Sequence, residues 1–170
     1  MTAVRHISEQ LSPAHHVDAF RCGVEALDRW LVDHARHAQA MRTAQTFVWH
    51  SGDYHVQAYF SLAAHLIRRD ELPQKLGRGS PASIPAVMLA RLALDEPLQG
   101  VGVGGDLLWD ALGRSCAAAD IAAARLVVVD AISPTAADFY RHHGFVPIPD
   151  IAGRMVQKVN DIIAALDTSG

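Results

Sequence analysis

The sequence predicts a mixed α/β fold in which helices cover both faces of a central sheet. Two observations lead to this prediction. Segments with a helical spacing of apolar residues alternate along the chain with short runs that are typical of strands. Two of these runs, at 86–95 and 125–131, are apolar at almost every position, as expected of strands that are buried on both faces.

The first half of the chain is predicted to contain one strand, one long helix and a pair of strands. Residues 4–11 favour a short strand, and apolar residues that recur every three or four positions predict a continuous helix at 23–41. The apolar face of this helix comprises Val24, Leu27, Leu31, Ala35 and Ala38. Strands at 46–50 and 54–64 flank a polar hairpin turn at 51–53.

The second half of the chain alternates strands and helices. A loop with one helical turn at 70–83 precedes the long apolar strand, and a glycine-rich turn joins that strand to a helix. The residues of this helix that we expect to point inward are Leu107, Leu108, Ala111, Leu112 and Cys116. The remaining predicted elements are the body of that helix at 106–116, the strand at 125–131, a helix at 135–143 that Gly144 ends, a strand at 155–159 and a weak terminal helix.

The composition is that of one globular domain. Half of the 170 residues are apolar and 19% are charged, and a chain of this length can bury a core of its own. No apolar run approaches the roughly 18 residues of a membrane helix, and residues 1–10 lack the apolar segment of a secretory signal. We therefore expect a single soluble domain at 1–160, a tail at 161–170, no membrane association and a cytoplasmic location.

Charge, cysteine and histidine patterns argue against several function classes. The formal net charge of −3 disfavours a protein that coats nucleic acid, although two basic groups would form a local patch if they met in space. These groups are Arg68, Arg69, Lys75 and Arg78, and Arg29, Arg36 and Arg42. Cys22 and Cys116 suggest neither a zinc site nor a disulfide framework. The ten histidines lack the spacing of a known metal motif, so we expect no metal and histidines at the surface or partly buried.

Arg91 is the one charged residue of the long apolar strand before Asp95 at its end. Because burial of an unpaired charge is costly, we expect it to reach a carboxylate or a phosphate, or to point out at the end of the sheet. Trp30 and Trp109 lie at helical positions, where packing in the core or at an interface is the ordinary use of tryptophan.

The glycine-rich turn after this strand favours the binding of a pyrophosphate. It comprises Gln99, Gly100, Val101, Gly102, Val103, Gly104 and Gly105. Glycines let backbone N–H groups at a helix N-terminus close around phosphate oxygens, because no Cβ stands in the way. A P-loop would need Lys and then Ser or Thr after the last glycine, whereas Asp106 and Leu107 follow here, which argues against ATPase or kinase chemistry.

Two motifs resemble those of one enzyme family. The turn QGVGVG is similar to the acetyl-CoA motif Q/R-x-x-G-x-G/A of the GCN5-related N-acetyltransferase (GNAT) family. That family commonly carries an aromatic pair in the helix after its fifth strand, and Phe139 and Tyr140 stand at that place in the segment DFYRHHGF. The resemblance implies the GNAT fold, N-acetyltransferase activity and acetyl-CoA as co-substrate.

A narrower resemblance covers residues 20–145. The segments FRCGVEALDRWL, TFVWHSGDYHVQAYFSLAA, IPAVMLARLALDEPLQGVGVGGDLLWDAL and DFYRHHGF are similar to acetyltransferase toxins of bacterial type II toxin–antitoxin modules. The signature in helix one that separates this subfamily from other acetyltransferases comprises Cys22, Gly23, Leu27, Asp28, Trp30 and Leu31. Those toxins acetylate the amino group of aminoacyl-tRNA and stop translation. The resemblance implies aminoacyl-tRNA as acceptor, a ribbon-helix-helix antitoxin as partner, and a homodimer.

The resemblance also implies roles for individual residues. Backbone groups of Leu92, Ala93 and Leu94 would hold the pantetheine arm and polarise the thioester carbonyl, and residues 99–105 would bind the pyrophosphate. Tyr140 is the candidate catalytic acid, because a phenol with a pKa near 10 is protonated at neutral pH and can donate to a departing thiolate.

No general base stands out, since Asp95 and Glu96 have the pattern of solvated carboxylates at a strand end. An α-amino group has a pKa of about 7.7–8.0, which esterification to tRNA lowers further, whereas a lysine side chain has a pKa near 10.4. The lack of a base therefore favours an α-amine acceptor. Two alternatives stay open, namely an acetyltransferase for a small amine or a protein amine, and a non-catalytic module that binds acetyl-CoA.

Overall fold

The computed structural model describes residues 5–169. In chain order the elements are β1 (Ile7–Gln10), α1 (Glu25–Asp33), α2 (Ala35–Ala40), β2 (Gln45–His50), β3 (Ala58–Arg68), α3 (Gln74–Gly77), β4 (Ser83–Leu94), α4 (Gly104–Ala122), β5 (Leu126–Asp130), α5 (Pro134–His142), β6 (Val146–Pro147), β7 (Arg154–Lys158) and α6 (Val159–Ser169). Val4, at which we expected the first strand to begin, lies outside the described residues, as does Gly170.

The strands form a mixed sheet of seven strands in the order β1-β2-β3-β4-β5-β7-β6. Strands β4 and β5 are parallel, with Ala86 opposite Leu126 and Leu89 opposite Val129. The pairs β1–β2, β2–β3, β5–β7 and β6–β7 are antiparallel. This arrangement confirms the predicted α/β class with a mixed central sheet.

The chain divides into two compact units, each with its own apolar cluster. One contains the chain up to residue 63 and residues 91–108, and the other contains residues 64–90 and the chain from residue 109 onward. The cluster of the first unit includes Phe20, Leu31 and Tyr59, and that of the second is a separate set of buried side chains. That second set comprises Ile67, Leu72, Ile84, Ala86, Leu126, Val128, Ile148 and Val156.

The single helix predicted in the first unit is wrong, because the chain turns at His34 and forms α1 and α2. At His34 the backbone has φ −127° and ψ −27°, which is not helical. The turn directs two side chains of α2 onto carbonyls of the loop after β1. Arg36 donates to the His15 carbonyl at 2.6 Å, and Gln39 donates to the Leu11 carbonyl at 2.7 Å. Carbonyls outside the sheet ladder need such donors, and the spacing of apolar residues does not reveal them.

Strand β3 begins four residues later than predicted and ends later, at Arg68. Residues 54–56 pair with a loop instead of with β2: His16 N–H donates to the Tyr54 carbonyl, and Val56 N–H donates to the His16 carbonyl. Tyr54 has φ +65°, which a regular strand does not allow. Residues 58–62 are all buried, so both faces of this part of β3 are covered.

Helix α5 and strand β5 lie within one residue of their predicted bounds, whereas α4 continues beyond the predicted 106–116 to Ala122. All five residues expected to point inward from α4 are buried. The short strand β6 was not predicted. Residues 161–169 of the predicted tail continue helix α6, in which Ile162 is fully buried. A single domain at residues 1–160 stays a prediction. Among residues 5–169, no helix is both long enough and apolar enough to cross a membrane.

Candidate functional site

The backbone conformation of the glycine turn favours glycine at two of its positions. Gly100 and Gly102 have φ angles of +74° and +87°, in the left-handed region that side chains with a Cβ rarely adopt. A Cβ built on either residue would meet no heavy atom within 4 Å, so crowding is not the reason for glycine there. The turn therefore has an open, accessible backbone, as the binding of a phosphate chain requires.

Gln99 ties this turn to the rest of the first unit. Its side-chain Nε2 donates to the Cys22 carbonyl at 2.7 Å and to the Leu94 carbonyl at 2.8 Å. The amide thus joins the end of β4 to the segment before α1. Both of its N–H donors are used within the protein. Gln99 therefore positions the turn, and the groups left for a ligand belong to the backbone.

Helix α4 begins within this turn, at Gly104. The N–H groups of its first turn have no partner within the helix, and the helix dipole favours negative charge at this end. The next N–H group, from Leu107, bonds to the Val103 carbonyl at 3.0 Å. Asp106 places a carboxylate in the same first turn and offsets part of the attraction for an anion. The donors available to a phosphate chain come from residues 100–105.

The same turn also fits a second spacing, since Gly100, Gly102 and Gly105 match the G-x-G-x-x-G pattern of dinucleotide-binding folds. Those folds build the site on a mostly parallel sheet. Here the strands β1, β2 and β3 pair in antiparallel fashion, and β4–β5 is the pair observed to be parallel. The surrounding topology, and not the glycine spacing, argues against a dinucleotide fold.

Leu92, Ala93 and Leu94 form the last part of β4, beyond the residues from Ala86 to Leu89 that pair with β5. Ala93 is buried in the apolar cluster of the first unit, and Leu92 and Leu94 are partly buried. The Leu94 carbonyl accepts from Gln99. The assignment of these backbone groups to the pantetheine arm stays a prediction.

Tyr140, in the last turn of α5, is packed between two phenylalanines in the second unit. Its ring meets those of Phe139 and Phe145 edge to face, with centroids 5.5 and 5.7 Å away. The Tyr140 carbonyl accepts the N–H groups of His143 and Phe145, which fixes the end of the helix. Gly144, at φ +95°, provides the left-handed residue that this end requires.

Burial raises the pKa of Tyr140 to about 12, because the phenolate would lose its hydration. The side chain is only 8% exposed. Within residues 5–169, no group accepts a hydrogen bond from its hydroxyl. The phenol is therefore fully protonated at neutral pH, with its proton available to a ligand.

Neither carboxylate considered as a base gains support from its surroundings. Asp95 Oδ1 accepts the N–H of Arg21 at 2.9 Å and so fixes the segment before α1. Glu96 is exposed. Arg91 lies over the Trp30 ring, 3.7 Å from its centroid, and its expected contact with a phosphate stays a prediction. Trp109 meets His143 edge to face.

The expectation that histidines are exposed or partly buried is wrong for His15 and His50. Both are buried, and both Nε2 atoms contact the same carboxylate oxygen, Glu9 Oε1, at 2.8 and 2.6 Å. The Nδ1 atoms accept the N–H groups of Ser12 and Gly52. The partners lie far apart in sequence with no motif spacing, and no sequence signal identifies the cluster.

This cluster has a metal-like set of donors, with its ligand atoms within 4.8 Å of one another. Its hydrogen bonds argue against a metal. Because backbone N–H groups donate to both Nδ1 atoms, the proton of each neutral ring must sit on Nε2, the atom that a metal would need. We interpret the cluster as two imidazole donors sharing one carboxylate, which ties β1, β2 and the loop after β1 together.

The two basic groups belong to different units, and each is described by its own contacts. Arg36 is held by carbonyls of the loop after β1 and is structural. Arg68 pairs with Asp70, and Arg69 donates to the Ser80 carbonyl. A patch formed by the two groups stays a prediction.

Comparison with known proteins shows close relatives, although no protein-family model matches the chain. It is 33% identical over 136 residues to the tRNA-acetylating toxin of Mycobacterium tuberculosis, which covers 80% of this chain and 81% of the relative. It is 29% identical over 171 residues to a protein of Sinorhizobium fredii described as probable toxin TacT, with 94% of each chain covered.

Solved structures show the same fold. A structure of AtaT in complex with acetyl-methionyl-tRNAfMet has a TM-score of 0.87 at 24% identity and covers 95% of this chain and 99% of that one. A tyrosine-to-phenylalanine mutant of AtaT bound to acetyl-CoA and to the C-terminus of the antitoxin AtaR has a TM-score of 0.82 at 23% identity, with 95% and 98% covered.

Proposed function

The chain belongs to the GNAT-fold acetyltransferase toxins, and on that premise we propose that it acetylates the α-amino group of aminoacyl-tRNA with acetyl-CoA and so blocks translation. The observation that carries this proposal is the 33% identity to a tRNA-acetylating toxin over 80% of the chain. The reaction forms an amide C–N bond and breaks the thioester C–S bond. One proton leaves the amine, and one proton reaches the sulfur.

The glycine turn is assigned to the pyrophosphate of acetyl-CoA. The positive φ angles of Gly100 and Gly102 and the exposed backbone of the turn support this role. Leu92, Ala93 and Leu94 are assigned to the pantetheine arm, for which a strand end can supply backbone donors and acceptors. No metal has a role in this scheme.

Tyr140 is assigned as the group that donates to the departing sulfur. Its pKa of about 12 lies about three to four units above that of an ordinary thiol, so the proton does not pass spontaneously from phenol to free thiolate. A hydrogen bond to the sulfur, however, stabilises the negative charge that develops there. Tyr140 can release its proton fully only as it receives another from the amine side, so the phenol acts as a relay as well as a donor.

The acceptor is assigned as an α-amine because neither carboxylate after β4, Asp95 or Glu96, is placed as a base. Asp95 is engaged by the backbone, and Glu96 is exposed. An α-amino group is substantially neutral near pH 8, and its ester at the end of tRNA is neutral at lower pH still. Such an amine can attack without help from a carboxylate or an imidazole.

We further propose that a ribbon-helix-helix antitoxin neutralises the protein, that the active form is a homodimer, and that it acts in the cytoplasm. The relatives support an antitoxin, since AtaT has been solved with AtaR. A tRNA is large enough to contact two copies of a small domain, which supports the dimer.

The test of the proposed function is acetyl transfer from radiolabelled acetyl-CoA to a mixture of aminoacyl-tRNAs. We expect label in charged tRNA and none in deacylated tRNA, and we expect Tyr140→Phe to abolish both the label and the growth arrest caused by expression. Label in a small amine or a protein lysine but in no aminoacyl-tRNA would favour the other kind of acetyltransferase. Acetyl-CoA binding without transfer to any amine would favour the non-catalytic module.

A further inference from the structure

Arg91, in the second half of β4, is a partly buried cation that no step of the proposed reaction uses. Its guanidinium lies 3.7 Å from the centroid of the Trp30 ring, and that ring stacks in turn on Tyr59, with centroids 6.2 Å apart and planes 12° apart. Tyr59 is fully buried, and its hydroxyl donates to the Leu27 carbonyl at 2.6 Å. Arg91 thus rests on a rigid aromatic platform.

The platform covers one face of the guanidinium and accepts no hydrogen bond from its N–H groups. Within residues 5–169, no carboxylate or carbonyl accepts from Arg91. Burial lowers the pKa of Arg91, and Tyr59 acts in the opposite direction. A guanidinium has five N–H donors in its plane, and stacking leaves their edge free to bind an anion at two points. A leucine would pack on Trp30 without loss of hydration, so packing alone does not explain an arginine here.

The anion is assigned by elimination between the two substrates. The pyrophosphate of acetyl-CoA is assigned to the glycine turn, which begins eight residues further along the chain, and the 3′-phosphate of CoA lies still further from the thioester, beyond the pyrophosphate. Side chains alternate along β4, so Arg91 shares the face of Ala93, on the side of Trp30 and the apolar cluster, and Leu92 and Leu94 lie on the other face. In an aminoacyl-tRNA the carboxyl group of the amino acid is an ester and carries no charge. The anion nearest to the reacting amine is therefore the phosphodiester next to the terminal nucleoside.

We propose that Arg91, held by Trp30, binds the phosphodiester beside the terminal nucleoside of the acceptor RNA. This inference rests on the proposed tRNA acceptor. It makes Arg91 a residue that binds and positions the acceptor, and one that favours an RNA-linked amine over a free amino acid or a lysine side chain.

The test is a binding cycle that uses RNA without an amino acid. The probe is a fluorescent RNA minihelix with the 3′ end of tRNA, in two versions: one intact, and one with the last phosphodiester replaced by a neutral methylphosphonate. For the wild-type protein we expect the neutral linkage to weaken binding roughly 10- to 100-fold, the range for a hydrogen-bonded charge. For Arg91→Met the two RNAs should bind equally, and both should match the weakened value.

Two further variants distinguish a specific loss of RNA binding from misfolding and from a change in net charge. Arg5→Met removes an exposed positive charge from the same unit and should leave the effect of the neutral linkage intact. Arg91→Lys keeps the charge but loses the planar fork, so an intermediate loss is expected, and this variant serves if Arg91→Met does not fold. The dissociation constant for acetyl-CoA should be unchanged in both Arg91 variants.

Two results would overturn the proposal. In one, the neutral linkage weakens binding to wild type and to Arg91→Met by the same factor. In the other, acetyl-CoA binding falls and RNA binding does not, which would assign the anion to the donor. The probe carries no amino acid, so the binding measurement does not depend on acetyl transfer. A failure of acetyl transfer would overturn the proposed function, and the binding result could still be interpreted.

Discussion

At the glycine turn the groups open to a ligand are backbone N–H groups of exposed and partly buried residues, whereas at the end of α5 the group is one hydroxyl held among aromatic rings. The turn depends on φ angles at Gly100 and Gly102 and on the anchor Gln99. The other region depends on the position of Tyr140 between Phe139 and Phe145. A site made of several backbone donors should lose binding gradually under substitution, while a site made of one hydroxyl should lose its chemistry at once.

The largest expected effect is that of Tyr140→Phe. Removal of one oxygen leaves the aromatic packing intact but takes away the proposed donor to the sulfur, and such a loss costs about 10²- to 10⁴-fold in rate. We expect kcat for acetyl transfer to fall by this amount while KM for acetyl-CoA stays within about threefold.

Tyr54→Phe is the matched control, because it removes the same oxygen from an exposed tyrosine in the other unit. It should leave kcat unchanged. If Tyr140→Phe retained most of its activity, Tyr140 would serve only in packing at the end of α5 and would not be the donor to the sulfur.

Features that depend on local backbone conformation could be predicted from the sequence, whereas contacts between distant residues could not. Gly100 and Gly102 have backbone angles that restrict residue type, so the turn is visible as a pattern, and the inward residues of α4 follow a helical period. The break at His34, the burial of His15 and the stacking of Arg91 on Trp30 depend on contacts between residues distant in sequence. No local period encodes such contacts. Tyr140 was identified by resemblance, and its role in catalysis stays a proposal.

The second expected effect is that of Gly102→Ala on acetyl-CoA binding. A Cβ at φ +87° has room around it, so the penalty is that of a left-handed backbone, about 1–2 kcal/mol for a residue other than glycine. If binding requires this conformation, KM for acetyl-CoA should rise about 5- to 30-fold with little change in kcat.

Gly113→Ala is the control for this substitution. Gly113 lies inside α4, where an added Cβ would meet no heavy atom within 4 Å, so alanine should be neutral or should stabilise the helix by up to about 1 kcal/mol. An unchanged KM in Gly102→Ala would show that the turn does not hold the donor in this conformation.

A smaller effect is expected for Gln99→Ala, which removes the anchor of the turn but none of the groups assigned to the ligand. Two hydrogen bonds are lost, to the Cys22 and Leu94 carbonyls. Since each contributes about 1 kcal/mol net at most sites, and less where water can replace it, we expect KM for acetyl-CoA to rise about 3- to 10-fold. Gln74→Ala, at an exposed position in α3, should change nothing. A loss of kcat instead of affinity would mean that the Gln99 amide takes part in the chemistry.

The smallest expected effect is on the pH profile, where the two regions differ because only one of them titrates. Burial raises the pKa of Tyr140 from 10 to about 12, so the protonated form persists up to that range. Hence kcat should rise as the acceptor amine loses its proton and should then stay level to about pH 10. The glycine turn has no titrating group of its own, so KM for acetyl-CoA should be level over the same range.

The raised pKa also links Tyr140 to stability. The folded protein holds this proton more tightly than the unfolded chain, so the stabilising contribution is complete below pH 10 and is lost as pH rises from about 10 toward 12. We therefore expect the free energy of unfolding in urea to fall less steeply above pH 10 in Tyr140→Phe than in wild type, because the variant lacks this group. Other tyrosines titrate in both proteins and cancel in the difference. Parallel curves for the two proteins would mean that the Tyr140 hydroxyl is exposed to water, and a phenol with an ordinary pKa would then donate to the departing sulfur.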